Sequence, residues 1–196
     1  MSDALRIEDY NDEQRSYTYA DYQKWEGPER YQIINGEVFQ MASPSVEHQA
    51  LLMVLSSKFD NWLQGKPYRV FASPLDVRLF PKEDNSDKTV VQPDLLVVCD
   101  KSKIGKNSIN GAPDLVIEIL SPSNTYSEQL YKFQYYLEAG ILEYWVIDPE
   151  RKVIQVHIYE NGHYLSTVYK NSDRIPSVVL PGLEIALEDL WARIQG

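Results

Sequence analysis

Two acidic residues stand where acids are expensive. Asp94 opens the run Pro93-Asp-Leu-Leu-Val-Val98, and Glu118 lies inside Pro113-Asp-Leu-Val-Ile-Glu-Ile-Leu120. Apolar runs this continuous mark strands covered on both faces. An ionised carboxylate in such an interior is costly unless a cation, a donor set or a raised pKa compensates. Two carboxylates converging from neighbouring strands suit Mg²⁺, with Mn²⁺ as a substitute, because hard cations take oxygen ligands and keep several waters. The competing reading is a buried salt bridge or an acid emerging at a strand end, since structural ion pairs also perturb acids. Asp114 is a rival to Asp94. Alternation sets Asp114, Val116, Glu118 and Leu120 on one face of a strand, but Asp114 follows a proline at the strand's start, where solvent reaches it, and it ranks second.

Lys132 is the candidate cation. It lies four residues after Glu128, and its simplest role is an exposed i,i+4 ion pair worth about 0.2–0.5 kcal/mol. Leu130, Phe133 and Leu137 predict the core stripe of its helix, which turns Lys132 away from the interior. Tyr131, Tyr135 and Tyr136 are large and amphipathic, and they could cover its face in part. Spacing leaves both roles open.

The elements that must carry these residues follow from pattern. Residues 1–16 are polar and acidic, unlike a signal or transit peptide, and are expected to form a mobile arm. Thr18 and Asp21 have capping-box spacing for a short helix ending near Gly27-Pro28. Tyr31 to Met41 predicts a hairpin turning at Asn35-Gly36. Leu51, Leu52, Leu55, Phe59, Trp62 and Leu63 recur at helical spacing between Ser45 and Gln64. Strands are expected over 68–72, 75–80, 90–99 and 113–120, with a polar loop from Asp100 to Gly111. Thr125 and Glu128 open a second long helix, about 127–139, which Gly140 closes. A strand over 144–147, a second hairpin around Asn161-Gly162 (153–159 and 164–169) and a short helix over 188–194 complete the chain. His157 and His163 lack metal-ligand spacing, and Glu143-Tyr-Trp-Val reads as buried scaffold.

The 196 residues fit one domain, expected over 17–196, and 43% hydrophobic content is enough for a core without disulfides. The single cysteine, Cys99, excludes an internal disulfide and suits a reducing compartment. The apolar runs are strand-sized, so a cytoplasmic protein with no membrane span is expected. A net charge of −10 argues against broad, sequence-independent nucleic-acid binding, which depends on Lys and Arg neutralising phosphates.

Four segments occur in a recognisable order: Tyr31-Gln-Ile-Ile-Asn-Gly-Glu37, Gln92-Pro-Asp-Leu-Leu-Val-Val98, Pro113-Asp-Leu-Val-Ile-Glu-Ile-Leu-Ser-Pro122 and Gly140-Ile-Leu-Glu-Tyr-Trp-Val-Ile-Asp-Pro149. Together they resemble the Uma-type restriction endonucleases of the PD-(D/E)XK superfamily over residues 17–191. The resemblance implies an α/β, restriction-endonuclease-like fold: a mixed central β-sheet flanked by helices, with N- and C-terminal hairpins, often in homodimers. It implies that Asp94, Glu118 and the backbone carbonyl of Ile119 hold the metal. Leu120 stands where the superfamily signature has lysine, and the resemblance supplies that lysine from the next helix as Lys132. Glu37 matches a further acid of the site and His48 a histidine at the start of the first long helix. The chain departs from the family at Gln32, Asn124 and Glu128, where glutamate, threonine and aspartate are common.

The expected chemistry is Mg²⁺-dependent phosphodiester hydrolysis, with DNA as substrate and Lys101, Lys103 and Lys106 as candidate phosphate contacts. Two alternatives stand beside it: a non-catalytic dimeric interaction module on the same fold, and a hydrolase of small phosphoesters.

Overall fold

The computed structural model describes residues 16–121 and 125–193. Asn124, the end of the predicted C-terminal helix and all of the predicted arm except Ser16 lie outside them. Thr18 and Asp21 form both halves of a capping box at α1 (Tyr19–Tyr22). Next comes the hairpin of β1 (Arg30–Ile34) and β2 (Glu37–Met41). Its turn places Asn35 at φ 55° and Gly36 at φ 83°, the paired left-handed conformation that Asn-Gly supplies with least strain. Ser45 caps α2 (Val46–Leu63), which buries Leu51, Leu52, Leu55, Phe59 and Leu63 as its spacing predicts.

The predicted strand over 90–99 is two strands in two different sheets. Val90–Val91 (β5) joins β1 and β4 (Asp76–Arg78) in a five-stranded sheet, order β2-β1-β5-β4-β7, whose edge β7 is Ser108–Asn110. Leu95–Val98 (β6) enters a six-stranded sheet with β3 (Arg69–Ala72), β8 (Leu115–Ile119), β9 (Glu143–Asp148), β10 (Val153–Glu160) and β11 (His163–Lys170), order β11-β10-β9-β8-β6-β3. The break falls at Gln92-Pro93, where proline has no N–H with which to continue a ladder. The six-stranded sheet is mixed: β8 and β9 are parallel and its other neighbours antiparallel. Within the predicted loop 100–111, Lys101–Lys103 forms a short 3-10 turn and β7 forms a strand.

Alternation along β6 divides the core. Leu95 and Val97 pack with α2 and with the closing elements β12 (Arg174–Pro176), β13 (Glu184–Ala186) and α4 (Leu187–Ala192). Leu96 and Val98 pack toward the five-stranded sheet and α3 (Tyr126–Ala139). The six-stranded sheet is therefore covered on both faces, which is why its strands read as unbroken apolar runs. Among the described residues no helix is long and apolar enough to cross a membrane.

Candidate active site

The register of β6 on β8 pairs Leu95 with Ile117, Leu96 with Val116 and Val97 with Leu115. One step further sets Asp94 opposite Glu118, on the face turned toward α3. Asp94 is held at one oxygen: the Ile119 N–H donates to Oδ2 at 2.7 Å, and His48 Nε2 lies 3.2 Å from the same atom. Ser45 holds His48 in place, accepting its backbone N–H in the first turn of α2. Asp114 sits at the other end of β8, where it accepts from the Cys99 N–H at 2.7 Å and ties two strands together.

The helix above them does not bury the predicted stripe. Leu130 is 49% exposed, and the buried residues of α3 are Glu128, Lys132 and Tyr136. These three recur every four residues and so share one face, the face lying over Glu118. Lys132 Nζ donates to Glu118 Oε1 and Oε2 at 3.0 and 2.9 Å, and lies 3.8 Å from Glu128 Oε1. The Tyr136 hydroxyl donates to Glu118 Oε1 at 2.6 Å. An apolar stripe over a buried carboxylate would leave it uncompensated, so the sheet dictates a polar stripe here. Phe133 turns aside to stand edge-to-face with His157 and Tyr164.

The electrostatics are tightly coupled. Burial pushes the Glu118 carboxyl up, Lys132 pulls it down, Asp94 pushes it up again, and the result is a raised pKa. Burial alone would discharge Lys132, but Glu118, Glu128 and Asp94 outweigh it and hold the ammonium above its ordinary range. Burial, with Glu118 alongside, keeps the Tyr136 phenol firmly protonated.

Asp94, Glu118, Ile119, Lys132 and His48 all line one cavity of about 60 Å³, room for a few water molecules. Glu37 does not join them. It is an exposed residue opposite Ile34 at the turn end of the hairpin and does not line the cavity. Leu120 continues the parallel ladder to Ile147 instead of contributing a cation. The predicted phosphate loop leaves β6 at the end opposite Asp94, and Lys103 is spent on the Ala112 carbonyl. The cation at the cavity that sequence reasoning missed is Arg30. Tyr136 was also missed as a partner of Glu118, although the four-residue spacing from Glu128 through Lys132 is its signal. Two departures from the family touch each other: Gln32 Nε2 donates to Glu128 Oε1 at 2.6 Å, buried.

Two acids meet across antiparallel strands of a mixed sheet under a helix-borne lysine, and the architecture that holds them is α/β. The profile of the Uma2 family, described as "Putative restriction endonuclease", matches residues 19–188, and the chain belongs to that family. Two proteins of Synechocystis sp. strain PCC 6803, both described as uncharacterized, are similar. One, slr1290, is 25% identical over 176 residues, covering 87% of this chain and 89% of its own. The other, sll1609, is 31% identical over 136 residues, covering 67% and 74%. A crystal structure described as a putative nuclease belonging to DUF820, from Anabaena variabilis, superposes with a TM-score of 0.75 at 22% identity. The superposition covers 91% of this chain and 99% of that one.

Proposed function

We propose that the chain is a metal-dependent endonuclease that hydrolyses phosphodiester bonds, with DNA as its substrate. The observation that carries this reading is the pairing of Asp94 and Glu118 in one cavity, with Lys132 on the second acid. The donor set fits a hard cation. The lining sets three acidic side chains (Asp94, Glu118 and Glu128) beside Arg30, Lys132 and His48, a set rich in oxygen donors. Among the described residues no three of His, Cys, Asp and Glu form a ready-made metal shell. The protein would thus offer Asp94, Glu118 and the Ile119 carbonyl and leave the remaining positions to water, the habit of Mg²⁺ (or Mn²⁺). A bound Mg²⁺ supplies Lewis acidity toward a phosphoryl oxygen and lowers the pKa of a coordinated water.

The chain's own groups do the rest. The Ile119 N–H and His48 hold Asp94 in a fixed orientation, so little reorganisation accompanies ligand binding. Lys132, kept charged by its acids, offers positive charge to an attacked phosphate from a buried position. Arg30, also at the cavity, suits a flanking phosphate. Glu37 has no part in this scheme.

The test is nicking of supercoiled plasmid DNA with Mg²⁺. Wild type should nick, and Asp94→Asn and Glu118→Gln should each be slower by about a hundredfold or more. Nicking that persists in EDTA, or in Glu118→Gln, overturns the reading. Cleavage confined to small model diesters moves the substrate to small phosphoesters.

One observation favours a second reading, a non-catalytic dimeric module: both Glu118 oxygens already have protein partners. The edge strand β11 exposes Leu165 and Val168, a surface on which a second copy could pair. A dimer in sedimentation whose melting ignores Mg²⁺ would favour it. Either role fits a cytoplasmic location.

A further inference from the structure

A second cavity, of about 400 Å³, opens on the other face of the five-stranded sheet. Tyr31 points there because it alternates with Arg30 and Gln32 along β1. Trp25 stands edge-to-face with Tyr22 and Tyr31, at 5.3 and 5.8 Å between ring centres, and these rings, with Tyr19, form the aromatic part of the wall. Asp76 and Gln92, with Gln23, Glu29, Arg30 and Asn107, form its polar part.

The hydrogen bonds in this wall are incomplete. Gln92 Nε2 donates to Asp76 Oδ1 at 2.9 Å and to the Tyr22 oxygen at 3.0 Å, while the Tyr22 hydroxyl donates to the same Asp76 oxygen at 2.9 Å. Gln92 is 6% exposed and Tyr31 8%. Yet Gln92 Oε1 and the Tyr31 hydroxyl are buried without a hydrogen-bond partner among the described residues. Folded proteins rarely leave two such groups unmet beside one cavity unless something else satisfies them. The ligand they describe is flat enough for an aromatic wall and carries polar atoms along one edge. Asp76 and Glu29 outnumber Arg30 in the lining, which disfavours phosphate and favours amino groups. A nucleobase has this chemistry; its phosphate does not.

The position adds the source. Arg30 lines both this cavity and the one holding Asp94 and Glu118. Gln92 precedes Asp94 by two residues, a span of about 7 Å in extended chain. We infer that the cavity walled by Tyr22, Trp25, Tyr31, Asp76 and Gln92 is a subsite for one unpaired nucleobase of the strand whose backbone enters the Asp94–Glu118 site. The direction of the strand rests on the proposed nuclease reading; the chemistry of the cavity does not. The base stacks against the aromatic wall, and small side-chain turns bring the Gln92 carbonyl and the Tyr31 hydroxyl, both covered in the free protein, to its edge. Arg30 marks where base and backbone part.

Binding measured in EDTA tests this without cleavage. Fluorescence anisotropy would follow a short labelled single-stranded oligodeoxyadenylate and a fully abasic strand of the same length. The intact strand should bind about fivefold tighter or more. Tyr31→Phe and Gln92→Met should each weaken the intact strand about two- to tenfold and leave the abasic strand unchanged. Tyr31→Phe should melt no lower than wild type, because it deletes an unmet hydroxyl and keeps the ring. Equal affinities for the two strands overturn the subsite, as do variants that bind the intact strand like wild type or weaken both strands alike. Free deoxyadenosine competing as well as the strand also overturns it, in favour of a small-molecule pocket. Base-dependent binding in a protein that never nicks plasmid would retire the nuclease reading and leave the subsite standing; nicking without base-dependent binding would do the reverse.

Discussion

Glu118 on β8 and Glu143 on β9 lie on opposite faces of the six-stranded sheet, and each is buried. Burial raises the pKa of both. Their partners differ in kind. Glu143 is held by four neutral donors: Trp145 Nε1 at 2.8 Å, Ser177 Oγ at 2.8 Å, and the N–H groups of Val178 and Val179 at 2.9 and 2.8 Å. It has no cation within ion-pair distance among the described residues and lines none of the cavities described above. Glu118 has a lysine, a phenol, a second acid across the strand pair and a cavity in front. Burial alone therefore does not identify a working carboxylate. A carboxylate surrounded by fixed dipoles is a clamp, here gripping residues 177–179 against the sheet. A carboxylate whose neighbours are themselves charged, beside open volume, has room for another ion and its ligands.

The sharpest way to break this contrast is to remove the clamp. Glu143→Ala strands several buried donors at about 1–3 kcal/mol each, so chemical denaturation should show a loss of at least about 3 kcal/mol, identical with Mg²⁺ and EDTA. A loss below about 1 kcal/mol would mean that the four hydrogen bonds are not holding the segment.

The metal response comes next in size. At a hundredfold excess over its dissociation constant, Mg²⁺ should stabilise wild type by about 2.7 kcal/mol. Glu118→Gln should abolish that gain, while Glu143→Gln should keep it. If Glu118→Gln is strongly destabilised and wild type ignores Mg²⁺, Glu118 is a second clamp, and the non-catalytic reading gains.

The smallest effect is in the pH dependence. The folded pKa of Glu143 is raised above its ordinary 4.5, so the native state binds its proton more tightly than the unfolded chain. The resulting stabilisation is complete below pH 4.5 and fades as pH rises through the folded pKa. Melts across that window should fall more steeply with pH for wild type than for Glu143→Gln. Parallel curves would show that the four donors have cancelled the effect of burial.

The sequence made some of this visible. Asp94 and Glu118 stood out because acids interrupt apolar runs, and Asn35-Gly36 and Asn161-Gly162 announce their turns by residue type alone. The position of Lys132 was not legible from periodicity. A helix lying over a carboxylate needs polar residues on its inward face, so the rule that finds a core by its leucines points the wrong way on α3. Only the family resemblance brought Lys132 to the site. The same resemblance brought Glu37, which the fold leaves on the surface. The division of 90–99 between two sheets was signalled by Pro93 but hidden by the apolar residues on either side. Arg30 and Gln92 gave no local signal, because what matters about them is which two cavities they adjoin.

That division has a mechanical consequence. Only residues 92–94 connect β5 in one sheet to β6 in the other, and the proposed metal ligand Asp94 ends that connection. A tie this short transmits displacement without slack. If the two sheets slide or part, as when a bulky ligand wedges against the five-stranded one, the strain falls on this link, and the Ile119 N–H that grips the Asp94 carboxylate holds its far end to β8. The acid pair thus stands at the seam where the two layers join, one short link away from the smaller sheet.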